Sequence, residues 1–165
     1  MTAERLKAVK KLAISILLAL LVCLFGACPS QDNIDAPEND EPNQEVTKMY
    51  ITIYGNKLEV TLENNPAVNE LVELLKQGNI TYTANDYGGF EKVGNIGHSL
   101  TTIDRDITTE PGDVVLYLGN QICIMVGSNS WSYTRIGRIN GYSTSQLKNL
   151  VGTGKGSTQV TLSLD

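Results

Sequence analysis

From Lys48 onward, apolar and polar residues alternate with period two. Met49, Ile51 and Ile53 fall on one side and Tyr50, Thr52 and Tyr54 on the other. After Gly55-Asn56, Leu58, Val60 and Leu62 alternate with Glu59, Thr61 and Glu63. Two such runs joined by Gly-Asn predict a β-hairpin with a type II′-like turn, apolar on one face, which covers a core from one side. The period then lengthens. Val68, Leu71, Val72 and Leu75 recur at helical spacing, behind an N-cap residue (Asn65) and a proline suited to the first helical position (Pro66). Lys76 stands in the last turn and Gly78 closes the helix. Ile80 to Ala84 reads as another strand.

The second half repeats this logic. Pro111-Gly112-Asp113 turns into the run Val114 to Leu118, and Gly119-Asn120 turns it back through Gln121 to Val126. Tyr133 to Ile139 is a further strand. Ser143 and Gln146 have the spacing of a capping box before Leu147 and Leu150, which predicts a short helix. The Gly-rich stretch Gly152 to Gly156 reads as a flexible connector into a last strand, where Val160, Leu162 and Leu164 alternate with polar residues. Many short strands and two short helices in one segment, 48–165, fit one compact, mostly-β barrel whose open ends the helices plug.

The segment ahead of Lys48 is built differently. Arg5, Lys7, Lys10 and Lys11 form a positive region, Leu12 to Phe25 is an unbroken apolar run, and the small residues Gly26-Ala27 precede Cys28. This is the order of a secretory signal peptide over 1–27, and the run is short for a membrane span. Phe25-Gly26-Ala27-Cys28 resembles the lipobox of bacterial lipoproteins, with Phe25 where Leu is usual. The resemblance implies cleavage before Cys28 and acylation of its thiol, which places the chain on the extracytoplasmic face of a cell membrane. Each buried acyl CH₂ adds about 0.8 kcal/mol to such an anchor. Residues 29–47 are rich in Pro, Asn, Gln and acids, with little that a core could use. Together with Cys28 they read as a disordered tether, holding the domain on the order of 25 Å from the membrane.

Charge sharpens this division. The net charge is −5, and loss of the basic leader makes it more negative, but the tether carries Asp32, Asp35, Glu38, Asp40, Glu41 and Glu45 without one Lys or Arg. The barrel segment is therefore close to neutral, and no basic footprint invites nucleic acid. Of the three cysteines, Cys23 departs with the signal and Cys28 takes lipid. Cys123, between Ile122 and Ile124, reads as a small buried hydrophobe, so the exported domain stands on its core without an internal disulfide.

Two stretches carry a family resemblance. Asn85-Asp86-Tyr87-Gly88-Gly89-Phe90-Glu91-Lys92-Val93 is similar to an Asp-Tyr-x-Gly-x-Glu-Lys signature. Pro111-Gly112-Asp113-Val114-Val115-Leu116-Tyr117, followed by Arg135-Ile136-Gly137-Arg138-Ile139, continues the match. In this order they resemble the small prokaryotic cyclophilin-like proteins across 48–165, which implies a closed barrel of about eight strands with a helix at each end. True cyclophilin prolyl isomerases bear a Phe-Met-x-Gln-Gly run and a catalytic Arg. The run does not occur here, and neither Arg105 nor Arg135 is matched by motif, so no isomerase residue is carried over.

Other chemistry is thin. His98 is the only histidine, in a loop, and neither His-x-x-x-His nor paired cysteines accompany it, so no metal or cofactor is expected. Asp104-Arg105-Asp106 reads as a charged turn, because the calcium-loop pattern fails after it. Gly152-Thr153-Gly154-Lys155-Gly156-Ser157 has the wrong spacing and context for a phosphate loop, and no Gly-x-Ser-x-Gly elbow occurs. Trp131 lies in a polar loop beside a strand and suits either a binding surface or a lid over a barrel end. Gly88-Gly89 suits a tight bend flanked by Tyr87 and Phe90. These features predict a membrane-anchored domain that binds a peptide or small ligand at a groove near Tyr87, Phe90, His98, Trp131 and Arg135. A divergent peptidyl-prolyl isomerase is the alternative.

Overall fold

The computed structural model describes residues 48–165; the expected signal peptide, Cys28 and tether lie outside the described residues. Nine strands run β1 (Met49–Ile53), β2 (Asn56–Leu62), β3 (Ile80–Tyr87), β4 (Glu91–Asn95), β5 (Arg105–Thr108), β6 (Asp113–Tyr117), β7 (Gln121–Met125), β8 (Ser130–Ile139) and β9 (Thr158–Leu164). Helix α1 (Pro66–Gln77) separates β2 from β3, and α2 (Thr144–Leu150) separates β8 from β9. The antiparallel sheet runs in the order β2-β1-β9-β3-β4-β7-β6-β8, and β8 pairs back onto β2. Eight strands thus close into a barrel, as expected, and β5 lies outside the ring, paired with the first part of β8. Closure removes the free edges an open sheet would leave exposed.

The inward residues form one core: Met49, Ile51, Leu58, Val60, Ile122 and Ile124 are all essentially inaccessible to solvent. Helix α1 adds Ala67, Val68, Leu71 and Leu75 to the same core. Burying a side chain such as Leu71 contributes about 1.5–3 kcal/mol. The helix starts where expected: the Asn65 side chain accepts from the Val68 N–H at 3.0 Å, and Pro66 opens the first turn. Ser143 and Gln146 form the expected capping box of α2, which buries Leu147.

The β2–β8 seam that closes the barrel is tight at a glycine. Leu62 of β2 faces Gly137 of β8, and a Cβ at Gly137 would lie 2.4 Å from the Thr61 carbonyl oxygen. A side chain at position 137 would press on that backbone.

Several expectations are corrected. The first hairpin turns at Tyr54-Gly55, one residue earlier than Gly55-Asn56, because pairing Ile51 with Leu58 and Met49 with Val60 keeps every apolar side chain inward. Both turn residues have positive φ, 48° and 79°, so the turn is of type I′. β3 runs on through Asn85, Asp86 and Tyr87, and a strand absent from the sequence reading, β4, returns from it. Arg105 and Asp106, expected in a turn, belong to β5, and Trp131, expected in a loop, belongs to β8.

The stretch Gly152 to Gly156 is fastened rather than loose. Lys92, 1% exposed, donates from Nζ to the carbonyls of Gly152 at 3.2 Å and Gly156 at 2.8 Å, and pairs with Asp86 at 2.9 Å. The Gly156 N–H donates to the same carboxylate at 2.8 Å.

Candidate functional site

The runs Val114 to Leu116 and Ile122 to Met125 are buried on both faces of the barrel wall. Val114, Leu116, Ile122 and Ile124 join the interior core. Val115, Cys123 and Met125 point the other way and form a second cluster with Tyr133. Over this outer cluster lies a cavity of about 500 Å³, within the range of small-ligand sites.

One wall comes from the turn between β3 and β4. The Phe90 N–H donates to the Tyr87 carbonyl at 3.3 Å, and Gly88 and Gly89 take φ of 59° and 71°. A Cβ on Gly88 would come within 2.1 Å of the Phe90 ring, so the ring folds across that glycine. The Phe90 carbonyl in turn accepts from the N–H groups of Val126 at 2.7 Å and Gly127 at 3.0 Å, which ties the turn to the end of β7. Tyr87 and Phe90 meet edge to face with centroids 5.9 Å apart, a favoured arrangement for aromatic quadrupoles.

The opposite wall comes from β6 and β8. The rings of Tyr117 and Tyr133 lie 6.0 Å apart, and Trp131, 58% exposed, stands at the rim where β8 pairs with Ile107 of β5. The Asn129 side-chain amide donates to the Tyr133 hydroxyl at 2.9 Å. Asn129 is itself held by the buried Thr109, whose N–H and hydroxyl donate to its carbonyl and whose Oγ1 accepts its N–H.

Among the described residues Glu91 is the one charged group lining this aromatic cavity. It is 7% exposed, and its Oε2 is buried without a hydrogen-bond partner. Burial pushes its carboxyl above the ordinary range, with the nearby Cys123 thiol pulling weakly the other way. Burial also pushes up the Cys123 thiol and the Tyr133 hydroxyl, so both stay protonated near neutral pH. A protonated, buried thiol is a poor nucleophile. The arrangement is suited to binding: aromatic faces, a carboxyl with a free acceptor, and the neutral polar groups of Asn129 and Gln121.

Of the residues expected at a groove, Tyr87, Phe90 and Trp131 line this cavity together. His98 does not line it; it is exposed in the loop after β4. Arg135 does not line it either, because its guanidinium reaches Asp113 Oδ2 at 3.2 Å. Buried Asp113 also accepts from Arg138 and from the Glu110 N–H at 2.9 Å. The Pro-Gly-Asp and Arg-Ile-Gly-Arg stretches therefore meet in one structural ion cluster, as Asp86 and Lys92 meet in another.

Glu91, Tyr117, Asn129 and Tyr133 were not singled out from sequence. Glu91 stands in the Glu-Lys dipeptide of the family-like stretch, and strand β4 turns Glu91 outward and Lys92 inward. Among the described residues no group of three or more His, Cys, Asp or Glu side chains is placed to hold a metal ion.

The sequence profile described as the cyclophilin-like family matches residues 51–163. Among solved structures, the chain is similar to a hypothetical protein of Archaeoglobus fulgidus determined in solution. The two share 19% identity with a TM-score of 0.53, over 72% of this chain and 95% of that one. That likeness bears on the fold. No curated protein matches the chain.

Proposed function

The chain belongs to the cyclophilin-like family, and we propose that its barrel is a ligand-binding domain carried on the extracytoplasmic face of a membrane through lipid on Cys28. The observation that carries the binding role is the outer-wall cavity, where Tyr87, Phe90 and Trp131 surround a buried carboxyl that has an unused acceptor. A peptide or small molecule entering there gains aromatic contact area and a fixed polar partner. The anchoring half of the reading rests on the sequence alone. Among the described residues no helix is long and apolar enough to cross a membrane.

Two measurements test the two halves. Expressed in a bacterial host fed labelled palmitate, the full chain should carry label and sediment with membranes, and Cys28→Ala should lose both. Equal membrane association of the two would end the lipoprotein reading. For the cavity, a tetrapeptide with a central proline should shift the backbone amide resonances of Tyr87, Phe90 and Trp131 while leaving those of His98 in place. Shifts confined to other surfaces would move the site elsewhere.

A divergent prolyl isomerase has narrower support, namely the family itself and an apolar cavity on the barrel's outer wall. Neither Arg105 nor Arg135 lines that cavity. Isomerisation of the same peptide at the uncatalysed rate, even with excess protein, would remove this alternative.

A further inference from the structure

We infer that the outer-wall cavity is selective for an organic ammonium ion bearing at least one N–H, with Glu91 as its counter-charge and the surrounding rings as its cage. The inference rests on the binding role proposed for that cavity and names the chemistry it takes. Three observations converge. Five of the nine lining residues are aromatic, the residue type whose ring faces attract cations. Among the described residues Glu91 is the one charged group in the lining and no Lys or Arg joins it, so an anionic ligand would find no counter-charge. Its Oε2 is buried and, among the described residues, has no donor, which costs free energy that an N–H reaching the carboxyl from the cavity would recover. A neutral apolar ligand would leave that oxygen unsatisfied, and a quaternary ammonium would supply charge without the hydrogen bond. A protonated primary or secondary amine supplies both.

Such a group reaches the cavity either as a free small amine or as the side chain of a lysine in a peptide. Trp131 is the only tryptophan in the chain and stands at the rim, so its fluorescence reports occupancy of this site.

The test titrates the full chain with 2-phenylethylammonium and with 2-phenylethanol, its near-isosteric neutral counterpart. In parallel it uses acetyl-lysine methylamide against acetyl-norleucine methylamide. The ammonium member of at least one pair should bind at least tenfold more tightly than its neutral partner. Preference in the first pair assigns free amines, and preference in the second alone assigns lysyl peptides. Glu91→Gln should erase the preference, bringing the ammonium member to within about twofold of its neutral partner. Tyr87→Leu, at a position 63% exposed and therefore safe for folding, should weaken the ammonium probe about two- to fivefold. Equal binding of charged and neutral members, or a preference that survives Glu91→Gln, overturns the ammonium assignment and leaves the cavity a neutral binding site. A Trp131 signal unmoved by all four compounds overturns both.

Discussion

Glu91 and Lys92 are neighbours in sequence with opposite fates, and each makes a prediction about stability. Lys92 points into the barrel end, where Asp86 and two backbone carbonyls surround its ammonium. Glu91 points out into an aromatic cavity with one oxygen unsatisfied. Burial works to raise the Asp86 carboxyl, but Lys92 and the backbone N–H groups of Gly156 and Gly154 outweigh it and hold the group below its ordinary range. A depressed carboxylate stabilises the fold above its unfolded pKa, and that stability is lost as pH falls through the folded value. Lys92→Met should therefore lower the unfolding free energy at pH 7 by about 3–5 kcal/mol, the usual consequence of orphaning a buried partner. It should also flatten the acid side of the stability profile, which urea unfolding at pH 7, 5 and 3 would reveal. Glu91 has the opposite sign. Its raised pKa favours the protonated form in the folded chain, so stability is full below the unfolded value and falls as pH rises through the folded one. Glu91→Gln should stabilise the unliganded protein by about 1–3 kcal/mol at pH 8 and by nothing measurable at pH 4. A variant less stable than the parent at pH 8 would show that the carboxylate has a partner after all.

How far each element could be read from the sequence follows from how much of its reason is local. Helix α1 was foreseen to its caps because Asn65, Pro66 and the 3.6-residue repeat are local signals. Asn65 also does something no local signal announces: its side-chain amide donates 2.8 Å to the Arg135 carbonyl of β8, fastening the helix start to the barrel wall. Asn65→Ala should accordingly cost about 2 kcal/mol, more than a plain cap, with thermal unfolding as the measure. The capping box of Ser143, exposed and free of such a link, should cost about half that on Ser143→Ala. Strands β4 and β5 were missed for the complementary reason. β4 reads Glu-Lys-Val-Gly-Asn, with a lysine on its inward side, and only Asp86 and the carbonyls of residues 152 and 156 make that tolerable. β5 has Ile107 as its one apolar residue and is a strand because β8 extends beyond the barrel to receive it. The same extension lifts Trp131 out of the expected loop and sets it at the cavity rim. The site was half visible in consequence: the aromatic residues beside the double glycine could be named, whereas Glu91, Tyr117 and Tyr133 converge through strand pairings remote in sequence.

The closed ring makes every strand's stability depend on the seam between β2 and β8, one of the pairings that join the N- and C-terminal halves of the domain. The seam is short, three residue pairs from Val60–Ile139 to Leu62–Gly137, and a Cβ at Gly137 would press on the Thr61 carbonyl and the Val60 side chain. Arg138 stands within it, opposite Thr61, and Arg135 lies just before it on β8; both are held by Asp113 of β6, so the wall that carries the cavity is braced against the same strand that closes the barrel. A change at the seam therefore reaches the cavity through β8. Gly137→Ala should destabilise the fold by about 1–3 kcal/mol through overpacking. Because a closed barrel of this size unfolds as one unit, Trp131 fluorescence on the outer wall and far-ultraviolet circular dichroism should shift to lower urea together. Gly154→Ala is the matched control, with positive φ but open space around its Cβ, and strain there should stay local to the 152–156 turn. If Gly137→Ala moved the circular dichroism transition while Trp131 kept its original midpoint, the outer wall would be an independent folding unit. The cavity would then owe its shape to the β6, β7 and β8 sheet alone, without help from the closed ring.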